Sequence, residues 1–217
     1  MLDTFKQKGL RKQLVEELRK KGISDELVLQ AIETVPRHLF FSKKGMEDYA
    51  YVDKAFPIGA GQTISQPYTV AFQTQLLQVN KLDKILEIGT GSGYQCAILV
   101  ALGAKVYTIE RQKELYQTTS LLLPKLGYRA NAFLGDGFKG LPNYGPFDKI
   151  VITAAPPNVP EELLKQLKPG GKLIAPIGDS EAQEMIEIIK VDDKDYKTIR
   201  HGAFSFVPML KGIGDDK

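Results

Sequence analysis

Seven residues, Glu87-Ile88-Gly89-Thr90-Gly91-Ser92-Gly93, constrain this chain's fold more than any other stretch. They follow KILEI, a short apolar run that reads as a buried strand, and they lead into YQCAILVALG, which reads as a helix. Glycines at 89, 91 and 93 let the backbone approach a ligand with no Cβ in the way. The helix start that follows offers unpaired N–H groups to an anionic moiety. In an open α/β sheet such a turn lies at the carboxyl end of a strand, where ligands bind. Downstream the texture alternates: AKVYTIE, RQKELYQTTSLLL, ANAFLG, FDKIVITA, EELLKQL and GKLIAPI read as strand, helix, strand, strand, helix and strand. That order predicts an α/β fold, a Rossmann-like doubly wound and mostly parallel sheet with helices on both faces. EMIEIIKV and YKTIRHGAFSFVPM add hairpin-type strands at one edge.

Upstream, Leu10, Leu14 and Leu18 recur at helical spacing. Arg19, Lys20 and Lys21 fill a last turn, and Gly22 provides the stop. Ser24, Asp25 and Glu26 start a second helix with the stripe Leu27, Val28, Ala31, Ile32 and Val35, closed by Pro36. Residues 40–61 show no periodicity and read as irregular; a third helix is expected from about Gln66 to Val79. Pro124 should end or kink its helix near Leu123. The 217 residues suit one domain, with an N-terminal helical and loop region over 1–80, a cofactor-binding core over 81–180, and C-terminal strands and tail over 181–217.

The bulk numbers narrow the function. With 43% hydrophobic residues the chain can build a core. A net charge of +3, from 29 basic and 26 acidic residues, with no dense basic block, argues against a nucleic-acid partner. A single cysteine, Cys96, excludes an intrachain disulfide and a cysteine-rich zinc site, and it reads as buried filler. Only two histidines are present, so no metal is expected. His38 reads as packing near the first helices and His201 as a surface or packing residue. No apolar signal core and no membrane-length run is found, so a soluble cytoplasmic protein with no membrane partner, working as a monomer, is expected.

The glycine spacing departs from a dinucleotide fingerprint, which needs glycine where Tyr94 stands. Glu110, however, ends the next strand, where an acid can accept hydrogen bonds from both hydroxyls of a ribose. Together they point to a nucleoside-containing cofactor. Gly135-Asp136-Gly137 ends the third strand, either as a simple turn or as a contact to an adenine amino group. In QTISQP, residues 62–67, Ser65 has good N-cap chemistry ahead of Gln66-Pro67, and it could equally carry a hydroxyl to a reacting centre.

LEIGTGSGY, the acid at Glu110, GDG at 135–137 and LKPGGKLIAPIG resemble the successive motifs of class I S-adenosylmethionine-dependent methyltransferases. AFPIGAGQTISQPYTVAFQTQLL, FDKIVITAAPPNVPEELLKQLKPGG and the late FVPM narrow the resemblance to the protein-L-isoaspartate O-methyltransferase family, over about residues 30–210. The resemblance implies methyl transfer from S-adenosylmethionine to the α-carboxylate of L-isoaspartyl residues in proteins and peptides. It implies that Gly89, Gly91 and Gly93 hold the methionine end of the cofactor, with Glu87, Thr90, Ser92 and Tyr94 in the same motif. Glu110, with Arg111, would bind the ribose, and Asp136 and Gly137 would frame the adenine. Ser65 would stand beside the reacting centre, with Gln62, Thr63 and Ile64 lining its loop.

The substrate carboxylate is itself the nucleophile, ionised at neutral pH with a reference pKa of about 4, so no general base is needed. Ser65 could then fix one carboxylate oxygen on the line of attack. Recognition of many sequence contexts requires main-chain readout, and the segment from Phe204 through Phe206, Val207 and Pro208 is the candidate strand for it. Three rivals stand beside this reading. An amino-directed nucleic-acid methyltransferase lacks support because Ala155-Pro156-Pro157-Asn158 has neither the polar residue before nor the aromatic after. A nicotinamide dehydrogenase is disfavoured by Tyr94. A non-catalytic adaptor for isoaspartyl peptides is separable only by assay.

Overall fold

The computed structural model of the chain describes residues 3–41, 45–179 and 182–214. Helix α1 (Phe5–Lys20) buries Leu14, Val15 and Leu18 and ends as expected, with Gly22 at φ 97°. Helix α2 (Glu26–Thr34) is capped by Asp25, whose carboxylate accepts from the N–H groups of Leu27 and Val28. The described residues of the stretch read as irregular have defined local structure. Two 3₁₀ turns, Arg37–Phe40 and Glu47–Tyr51, are followed by a hairpin of β1 (Phe56–Gly59) and β2 (Gln62–Ile64). Residues 42–44 of that stretch lie outside the described residues. The hairpin escapes a periodicity search because its strands are very short and its turn runs through Gly59, Ala60 and Gly61, all at positive φ.

The fully buried Arg37 organises this segment from within. Its guanidinium donates to the carbonyls of Ala50 and Lys54, and its carbon lies 5.1 Å from the Phe41 ring centroid and 5.6 Å from that of Tyr94. Main-chain carbonyls replace water around the charge, while burial lowers the guanidinium pKa to about 10, so it remains a cation at neutral pH. Helix α3 (Pro67–Leu77) then begins directly after the hairpin.

The rest is a seven-stranded sheet in the order β5-β4-β3-β6-β7-β8-β9. Strands β3 (Lys84–Ile88), β4 (Lys105–Glu110), β5 (Asn131–Leu134), β6 (Phe147–Ile152) and β7 (Leu167–Gly178) run parallel. Strands β8 (Gln183–Lys190) and β9 (Tyr196–Phe204) add antiparallel, as the sequence implied. Helices α4 (Tyr94–Ala101), α5 (Lys113–Lys125) and α6 (Glu161–Lys165) connect the parallel strands. Pro124 is accommodated in the last turn of α5, which runs two residues beyond Leu123.

Strand alternation divides the core. Ile85, Val106 and Val151 face α4 and the N-terminal helices; Leu86, Ile88, Ile109 and Ile150 face the side of α6. The register pairs Ile88 with both Ile109 and Ile152, so the carboxyl ends of β3, β4 and β6 finish level. A single sheet edge thereby receives three loop starts, and the pocket forms there.

Candidate active site

The pocket is floored by the glycine turn and walled by two segments far apart in the chain. Gly89, Thr90, Gly91, Ser92 and Tyr94 come from the β3–α4 junction, and Glu110 and Arg111 from the end of β4. Gln62, Thr63, Ile64 and Ser65 form one wall; Val207, Pro208, Met209 and Leu210 form the other. Gly137 closes the far end.

The glycines are required by space as well as by backbone angle. A Cβ on Gly89, at φ 94°, would stand 2.6 Å from the Thr153 hydroxyl. On Gly137 it would stand 2.4 Å from Ile88 Cγ2. Gly93 does a different job from the one expected: it does not line the pocket, and a Cβ there would meet Thr119 at 2.7 Å, so it brings α4 and α5 together.

Glu110 is buried, and its carboxylate accepts from the Gly91 N–H at 2.8 Å and from the Gln112 N–H at 2.8 Å. Two further lone-pair sites remain on those oxygens for ligand hydroxyls. This acceptor set, beside the apolar Ile88, Ile109, Met209 and Leu210, fits a ribose with an attached base.

Four expected site residues stand apart from the pocket lining. Glu87 is fully buried behind it, because its side chain alternates with that of Ile88 and points toward α4. Thr108 donates to Glu87 at 2.6 Å, and Thr90, which does line the pocket, lies 2.6 Å from the Thr108 hydroxyl. Burial, reinforced by the nearby charge of Glu110 and only partly offset by Thr108, raises the Glu87 pKa to about 8. The neighbouring Cys96 thiol is fully buried, and desolvation raises its pKa too.

Asp136 also lies outside the lining. Its carboxylate accepts from the Phe138 N–H at 2.9 Å and from the Gly212 N–H at 2.9 Å. It fastens the C-terminal strap instead. That strap is pinned along its length: Met209 N–H to Ala155 O at 2.8 Å, Arg111 Nε to Gly212 O at 3.2 Å, and Gly214 N–H to Arg111 O at 2.8 Å. Phe206 is the fourth. Its N–H and carbonyl are both held by the Gln183 side chain, at 2.6 and 3.0 Å, and the Val207 carbonyl accepts from Ala155. The regular strand ends at Phe204, so 206–208 is a loop whose main chain is partly engaged.

Ser65 does not cap α3. The helix starts at Pro67 after Gln66, with no side-chain cap from its own flank. Asp53 takes that role from a distance, accepting the Tyr68 N–H at 2.7 Å and the Gln66 amide at 3.0 Å. The Ser65 carbonyl is held by Arg37 Nη2 at 3.0 Å, and its hydroxyl makes no hydrogen bond among the described residues.

Sequence reasoning missed Val70, Ile88, Gln95, Ile109, Thr153 and Ala154 in the lining. Thr153 and Ala154 follow β6 directly, and the strand-end rule applied to FDKIVITA would have found them. Met209 and Leu210 carried no comparable signal.

A family model described as protein-L-isoaspartate(D-aspartate) O-methyltransferase (PCMT) matches residues 9–214. A protein-L-isoaspartate O-methyltransferase of Flavobacterium psychrophilum is 58% identical over 212 residues, covering 97% of this chain and 99% of that protein. One from Salinibacter ruber is 45% identical, covering 96% and 94%. A solved protein-L-isoaspartate O-methyltransferase superposes with a TM-score of 0.85 at 28% identity, covering 94% of this chain and 67% of that one. A Plasmodium falciparum structure of the same class, in complex with S-adenosyl-L-homocysteine, gives 0.79 at 26% identity, covering 93% and 99%. By sequence along nearly its whole length and by fold, the chain belongs to the protein-L-isoaspartate(D-aspartate) O-methyltransferase family.

Proposed function

We infer that this chain transfers a methyl group from S-adenosylmethionine to the free α-carboxylate of L-isoaspartyl residues in damaged proteins and peptides. The ester formed closes to a succinimide, whose hydrolysis returns part of the residue to normal aspartate. The observation that carries the reading is the convergence of the 62–65 loop, the glycine turn and Glu110 on one pocket.

S-adenosylmethionine supplies an electrophilic methyl group on a positively charged sulfonium. The chain's own residues hold and screen the reactants. Glu110 offers acceptors for the ribose hydroxyls, and Gly89 and Gly91 give the backbone close approach. Ile88, Ile109 and Met209 surround the base end, where the strap pinned by Asp136 and Arg111 closes the wall. The Ser65 hydroxyl donates to one oxygen of the substrate carboxylate and aligns it for attack. Ile64 and Val70 keep water from a reaction in which charge disappears. Val207 and Pro208 face the incoming peptide. The enzyme is read as a cytoplasmic monomer, and sedimentation of the purified chain tests the monomer.

Labelled S-adenosylmethionine and two peptides differing only in isoaspartyl or aspartyl linkage test the reading. Base-labile label on the isoaspartyl peptide alone is the expected result. Cofactor binding with label on neither peptide would favour another acceptor, or the adaptor role.

A further inference from the structure

Beside the pocket lies a second, open groove lined by Gln66, Tyr68, Phe72, His201, Phe204 and Ser205, among others. No lining side chain is a lysine, arginine, aspartate or glutamate. Its walls are a connected set of rings. Tyr68 and Phe204 stack at 6.4 Å with planes 4° apart, and Phe72 meets Phe204 at 5.0 Å and the edge of His201 at 6.0 Å. His201 is fixed from behind by Glu187 at 3.1 Å, itself paired with Lys172 at 2.7 Å. These rings are half-buried rather than sealed in the core.

The groove adjoins the active site along the chain at two places. Gln66 follows Ser65, and Phe204 and Ser205 precede Val207 and Pro208 by only a few residues. A peptide whose isoaspartyl carboxylate rests at Ser65 advances ~3.3–3.6 Å per residue if extended, and the groove begins at Gln66, the residue after Ser65.

We propose that this aromatic groove is a specificity subsite that takes an apolar or aromatic side chain flanking the isoaspartyl residue. The proposal rests on the function inferred above. Uncharged walls disfavour desolvating an acidic or basic flank, whereas an aromatic flank gains buried area and ring contacts. Main-chain contacts near Val207 accept any sequence; the groove then grades those sequences.

The test is a panel of isoaspartyl peptides in which positions two before to two after the modified residue are glycine, phenylalanine, leucine or aspartate in turn. In the unaltered enzyme phenylalanine or leucine at one flank raises kcat/KM over glycine about fivefold to tenfold, through KM, and aspartate lowers it. Tyr68→Ala and Phe204→Ala are each expected to bring that ratio below about twofold. Equal rates at every flank, or a ratio unchanged in both variants, overturn this proposal alone. Absence of label on every isoaspartyl peptide overturns the proposal together with the reading it rests on.

Discussion

Arg37 Nη2 donates to the main-chain carbonyl of Ser65 at 3.0 Å, and this bond links a fully buried cation to the loop that lines the pocket beside the glycine turn. The same guanidinium holds Ala50 and Lys54, so one side chain sets the height of the hairpin from which Ser65 projects. Arg37→Met keeps much of the stem volume but leaves three carbonyls without their donor. It should lower stability by about 3 kcal/mol and kcat by tenfold or more. Thermal melts and steady-state kinetics on the isoaspartyl peptide check both, and an unaltered kcat would separate the Ser65 loop from Arg37.

Ser65→Ala should leave the melting temperature within about 1 °C, because the hydroxyl caps nothing, and should reduce kcat about 10- to 100-fold. Asp53→Ala should do the reverse at first order. Removing the remote cap of α3 costs about 1–2 kcal/mol of stability. If Ser65→Ala melted like Asp53→Ala, the hydroxyl would be structural after all.

Glu110→Gln sets an amide NH₂ against one of two backbone N–H donors, Gly91 or Gln112. Affinity for S-adenosylhomocysteine should fall about 10- to 100-fold by calorimetry. A variant binding as tightly as the parent would exclude Glu110 from ribose recognition.

Glu87 makes stability depend on pH. Its folded pKa of about 8 lies above the ordinary value of 4.5. Its contribution is therefore complete below about pH 4.5 and is lost as pH rises toward 8, where the folded state must ionise a buried carboxyl. Glu87→Gln removes that loss, so the variant should gain on the parent between pH 5 and pH 8.5. Each kcal/mol appears as about 2–4 °C in a chain of this size. Parallel melting curves with equal slopes against pH would show that Glu87 is not the responsible group.

Cutting the chain after Leu210 removes the bonds from Gly212 to Asp136 and from Gly214 to Arg111. Dissociation of S-adenosylhomocysteine should accelerate about tenfold or more while the far-ultraviolet spectrum is retained. An unchanged off-rate would mean that the strap does not cover the base end.

The parts of this site legible in the sequence are those dictated by local rules. The glycine turn and Glu110 follow from strand, turn and strand-end logic, and the alternation of strands and helices announces a parallel sheet. What stayed hidden depends on tertiary contact. Nothing local to Asp53 marks it as the cap of a helix that starts fourteen residues later, nor Asp136 as an anchor for Gly212. Glu87 and Gly93 sit in the right motif, yet alternation and helix packing leave them out of the pocket lining. Residues 45–61 carry no periodic apolar signal because a buried arginine, rather than periodic apolar side chains, holds them at Ala50 and Lys54.

Cys96 gives the molecule a built-in reporter. It is the sole thiol in 217 residues, fully enclosed on the helix that follows the glycine turn, and burial holds it in the unreactive protonated form. An alkylating reagent can label it only during excursions in which α4 lifts from β3. The fraction of molecules that gain one adduct in a mass spectrum therefore counts openings of α4 from the sheet, with no added probe. Protection by a bound nucleoside would translate occupancy of the pocket directly into a slower labelling clock.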